Sequence, residues 1–137
     1  MTADERALLT AFRDGSLPAS QFHHRDHVRL AWIYLCEHGL GEAVGRFSRD
    51  LQGFAVAKGV PRLYHATITW AYLAVIAERL ATAPQGQTWD EFSTAHADLL
   101  QWKPSVLDAY YSSDRLWSDA ARGAFLMPDR APVAHDA

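Results

Sequence analysis

Lysine is nearly missing from this chain. Of thirteen basic residues only Lys58 and Lys103 are lysines, and the arginines are scattered rather than grouped. With a formal net charge of −3 and a pI near 6.1, no basic surplus exists to neutralise a phosphate backbone, which excludes the footprint of a nucleic-acid binder. Cysteine is down to one, Cys36, so no intramolecular disulfide can form, and a reducing compartment is expected. The longest apolar runs, LAWIYLC and WAYLAVIA, fall far short of the roughly 20 residues that span a bilayer. The start MTADERALL is charged and lacks the apolar stretch of a signal peptide. These shortages predict a cytoplasmic protein with neither a membrane nor a nucleic-acid partner, and they leave its oligomeric state open. Also missing are a phosphate-binding glycine loop, a nucleophile elbow, a cysteine–histidine pair, an alternating strand pattern and any internal repeat.

What is present is helical periodicity. A chain of 137 residues with 49% hydrophobic and 21% charged residues has room for one domain with its own core. Thr2 and Glu5 form a capping box, followed by Ala7, Leu8, Ala11 and Phe12 at helical spacing up to Gly15. A second helix is predicted from about Arg25 to Glu37, and a third from Gly41 to Lys58 with Val44, Phe47, Leu51 and Phe54 as its apolar stripe. A fourth, from about Tyr64 to Ala83, is apolar around most of its circumference and belongs at the centre. Thr88 and Glu91 open a fifth, running to about Leu100. Pro104 breaks the chain before two short helices near 105–111 and 114–125. The expectation is an all-α fold, a compact single-domain helical bundle of about five to seven helices over residues 1–127, with 128–137 as a flexible C-terminal tail.

Two stretches bear on chemistry. FHHRDHVRLAWIYL, residues 22–35, places His24 and His27 on the face that continues through Val28, Ala31 and Leu35. Both imidazoles therefore point inward from the first helical turn, where the positive end of the macrodipole keeps them neutral. LYHATITWAYL, residues 63–73, puts His65, Thr69 and Tyr72 on one face of the central helix. If both helices start at the same end of the bundle, His24, His27 and His65 meet. Three protein nitrogens with an open position is the layout of a catalytic zinc site, and imidazole also suits iron and copper.

Taken singly, each histidine reads as a structural or surface group, so the metal reading stands on the three together. His23 is expected to face outward, His38 to cap a helix C-terminus, and His135 to lie in the tail. His96, Asp98 and Lys103 are weaker additional candidates. Asp26 is expected to cap its helix or pair with Arg29. The tryptophans Trp32, Trp70, Trp89, Trp102 and Trp117 read as packing residues.

The blocks FHHRDHVRLAWIYL, LYHATITWAYL and WKPSVLDAYYSSDRLWSDAARGAFLMPDR together resemble a family of small bacterial proteins with no established activity. The resemblance covers most of residues 22–130. It implies a shared site at His24, His27 and His65 but no reaction. Family members usually carry glutamate where this chain has Ala66, a departure that implies different chemistry if that carboxylate takes part.

The leading expectation is thus a small metal-dependent enzyme. His24, His27 and His65 hold a divalent transition metal (copper, iron or zinc), and Thr69 and Tyr72 line the substrate side. Its substrate is a small organic molecule, with oxidative chemistry for iron or copper and hydrolysis or hydration for zinc. The alternative is a non-catalytic small-molecule-binding or interaction module whose histidines are structural or hold an acidic ligand.

Overall fold

The structure, a computed structural model, describes residues 1–131. Helix α1 (Ala3–Asp14) opens at Thr2, whose hydroxyl accepts from the Glu5 N–H at 3.1 Å while the Glu5 carboxylate accepts from the Thr2 N–H at 3.0 Å. It closes at Gly15, where φ of 77° needs a residue without Cβ. Helices α2 (His24–Glu37) and α3 (Leu40–Ala57) follow with only His38 and Gly39 between them. The central helix α4 (Ala66–Ala81) packs against α2, α3 and the C-terminal α7 (Asp119–Gly123). Helices α5 (Trp89–Ala95) and α6 (Ser113–Leu116) and short 3-10 turns complete the fold, and no strand occurs among the described residues. No described helix is long and apolar enough to cross a membrane.

The core is aromatic where α1, α2 and α3 meet. Phe12 is fully buried, with its ring 5.6 Å from Phe22, 5.9 Å from Phe47 and 5.4 Å from Phe54. Burying each such side chain stabilises the fold by roughly 1.5–3 kcal/mol. The one polar member, Tyr34, donates its hydroxyl to Asp50 and accepts from Arg13 Nε at 3.3 Å. A smaller cluster of Tyr72, Leu107, Tyr111 and Leu116 fastens the C-terminal third to α4. Thr67 reinforces it, its hydroxyl donating to the Ala124 carbonyl at 2.8 Å and accepting from the Leu126 N–H at 3.1 Å.

The chain departs from its periodicity beyond residue 95. The fifth helix stops at Ala95, because His96 leaves the helical region at φ −126° and ψ 47°, and a 3-10 turn (Ala97–Leu100) takes over. The two helices expected after Pro104 are three shorter pieces, Val106–Ala109, α6 and α7. Serine is the reason. Ser105, Ser112 and Ser118 each accept a backbone N–H two or three residues ahead, restarting the chain every six or seven residues. In the segment expected to be a flexible tail, Asp129 accepts from both the N–H and the hydroxyl of Ser112, and the Arg130 N–H bonds the Tyr110 carbonyl. The rest of that tail, with His135, lies outside the described residues.

Candidate functional site

At the start of α2, the Asp26 carboxylate accepts from the His23 N–H at 2.9 Å, which leaves the His23 ring outside, its side chain 74% exposed. Setting that register turns His24 and His27 inward together with Val28 and Ala31. All four line one cavity of about 400 Å³. His65, Thr69 and Tyr72 line the same cavity, so the N-terminal ends of α2 and α4 do lie together.

The three imidazoles differ in what their nitrogens do. His24 Nε2 lies 2.9 Å from the Leu99 carbonyl, which places the ring proton there and leaves Nδ1 with a lone pair. Its ring is flanked by Tyr72 at 5.1 Å and Trp102 at 5.0 Å. His27 packs at 4.0 Å on Phe22 and has no hydrogen-bond partner among the described residues. It touches the cavity yet is enclosed on its other sides, and this burial, with His24 nearby, pushes its pKa down to about 3. His27 is therefore neutral at physiological pH, and too weak a base to abstract protons efficiently.

His65 is the N-cap of α4, not a member of its first turn. Its Nδ1 accepts from the Ile68 N–H at 3.1 Å, so Nε2 carries the proton and donates it to the Leu116 carbonyl at 2.7 Å. Burial lowers its pKa, the Leu116 bond opposes that shift, and the Arg122 guanidinium lowers it further. Both nitrogens are spent on backbone. Thr69, one turn on, is buried, and its hydroxyl has no partner among the described residues. The Tyr72 hydroxyl shares a 2.7 Å hydrogen bond with Ser105, and burial pushes its phenol above the ordinary value.

A three-imidazole metal centre needs three lone pairs within about 2.0–2.1 Å of one ion. Among the described residues, no three His, Cys, Asp or Glu side chains are placed to hold an ion together. His24 and His27 each have a lone pair to offer. His65 does not, unless it gives up both the α4 cap and Leu116. As arranged, the donor set does not fit a three-histidine centre.

The additional candidates sit elsewhere. Asp98 takes a two-pronged contact from Arg79 at 2.9 and 2.7 Å, and His96 Nδ1 lies 3.1 Å from the same guanidinium, away from the cavity. Lys103 lines an adjoining cavity of about 210 Å³ that shares Ile68, Trp102 and Trp117 with the first. His38 does cap the α2 C-terminus, 3.6 Å from Glu42.

The sequence reading missed much of the wall. Trp102 and Trp117 meet edge to face at 6.1 Å, are 39% and 52% exposed, and form the mouth. Arg62 and Arg122 stand on the rim, joined by a hydrogen bond from the Arg122 guanidinium to the Arg62 carbonyl. Their one sequence signal was two tryptophans in stretches too short to carry an apolar stripe. No family model, curated protein or solved structure matches this chain.

Proposed function

We propose that this protein binds a small, largely apolar organic molecule between the N-terminal ends of α2 and α4. The observation that carries this reading is the pairing of an apolar hollow with unfilled polar groups. A volume of about 400 Å³ lies in the range of ligand pockets. The imidazole of His27, Nδ1 of His24 and the hydroxyl of Thr69 open on it without protein partners. A ligand with polar substituents can hydrogen-bond these groups in place of solvent, each such bond contributing about 0.5–1.5 kcal/mol.

The test is a titration with naphthalene-based probes followed by tryptophan fluorescence, to which Trp102 and Trp117 at the mouth contribute. Saturable quenching is expected, and so is its loss in Ala31→Phe, which fills the hollow. No saturable response, or an unchanged response in a folded Ala31→Phe protein, rejects the reading.

The metal-dependent enzyme is the second reading, favoured by the two imidazole lone pairs of His24 and His27 on one cavity. It requires a further donor, from His65 after rearrangement or from the substrate. Metal content of untagged protein after supplementation with zinc, iron and copper decides it. Less than about 0.1 ion per chain excludes a structured site.

A further inference from the structure

Every ionisable side chain on the cavity wall is basic or a phenol. His24, His27, His65, Arg62, Arg122 and Tyr72 line it, and no aspartate or glutamate does. Neither Arg62 nor Arg122 pairs with a carboxylate among the described residues. Arg122 is nonetheless held in place, because one of its amines donates to the Arg62 carbonyl, leaving the remaining N–H groups of its fork unassigned. The half-buried Arg122 stands close enough to His65 to disfavour a second positive charge there. Trp102 and Trp117, their rings nearly perpendicular at 6.1 Å, form an aromatic corner at the mouth of the same cavity.

We propose that the ligand is an aromatic organic acid, its ring against Trp102 and Trp117 and its carboxylate on the guanidinium groups of Arg62 and Arg122. This rests on the small-molecule reading above and narrows it. A planar guanidinium matches a carboxylate with two parallel N–H···O bonds, which are stronger than neutral ones. The histidines are poorer partners for it, since burial disfavours the charged imidazole. They serve the apolar body and its polar substituents instead. An acidic ligand also meets no like charge on this wall, whereas a cationic one meets two arginines.

The experiment compares 2-naphthoate with its neutral isostere 2-naphthamide, by calorimetry on the full chain at pH 7. The acid is expected to bind at least about tenfold more tightly, as charge-assisted pairing at a part-exposed site allows. In the double variant Arg62→Gln, Arg122→Gln the acid-over-amide affinity ratio is expected to fall to within about twofold of one. Equal binding of acid and amide, or a preference that survives the double substitution, overturns the acid proposal and leaves the pocket standing. Binding of neither probe overturns both. Unchanged circular dichroism of the double variant guards against misfolding. Arg62→Lys, Arg122→Lys is expected to restore part of the preference, because charge returns without the planar fork.

Discussion

His65 donates from Nε2 to the Leu116 carbonyl at 2.7 Å, across 51 residues of sequence. The same ring caps α4 through Nδ1, so one side chain fixes both the start of the central helix and the C-terminal wall of the cavity. Substitution separates the two duties. His65→Ala is expected to cost about 2 kcal/mol in urea unfolding, losing a cap and a buried hydrogen bond. His65→Asn keeps a capping side chain and is expected to cost about half as much. Equal losses in the two variants count against the double role. A metal-ligand role predicts instead that both variants lose bound metal.

Mild acid should already weaken the fold. Folded His27 resists protonation down to about 3, whereas its ordinary value is 6.5. His24 and His65 shift in the same direction. Unfolded chains therefore bind more protons below pH 6.5, and stability falls as pH drops through that window. One such site costs about 1.4 kcal/mol per pH unit. Burial is the main cause of the His27 shift, and His24 on the same cavity adds to it. For metal-free protein, moving from pH 7 to 5 is expected to remove about 2 kcal/mol, and His27→Phe to flatten that slope. A pH-independent urea midpoint over this range contradicts it.

Tyr34 is 1% exposed, and its hydroxyl joins Asp50 on α3 with Arg13 on α1. Tyr34→Phe keeps the ring and strips Asp50 of its hydroxyl partner. A loss of about 1–2 kcal/mol is expected, measured by thermal melts, with the cavity and its ligand affinity unchanged. A change in affinity would show that the two regions are coupled.

Thr67 is fully buried and grips the Ala124 carbonyl and the Leu126 N–H. Thr67→Val preserves shape but removes both bonds. Hydrogen exchange at the Leu126 amide is expected to speed up by at least about tenfold, with core amides of α2 and α3 less affected. Uniform acceleration across the chain would show global destabilisation instead.

The bundle was legible where helices were long. In α1 to α4 the apolar positions repeat over at least three turns, and Thr2 and Gly15 mark the ends of the first. His24 and His27 could be placed on the cavity because both lie within such a helix. His65 was placed one step too far in, since histidine is not among the usual capping residues and nothing in LYHAT flags it as a cap. Trp102, Trp117 and Arg122 lay beyond reach for another reason. They sit in or beside helices of four or five residues and turns, which carry no period, and their positions follow from long-range contacts such as His24 with Leu99.

Those long-range contacts also set an order of events. His24 waits for Leu99, 75 residues downstream, and His65 for Leu116. The rings stacked around Phe12 all lie within residues 12–54, although the core they belong to also takes in Leu73, Ile76 and Leu99. As a nascent chain leaves the ribosome, α1 to α3 can pack while the sequence that walls the cavity is still being made. Closing loops of that length is the slow, entropically costly part of folding. The lining of the cavity reaches as far as Arg122, so its wall is incomplete until α7 has been made. A chain stalled before Trp102 would carry both α2 histidines on a formed helix with no cavity for them to line.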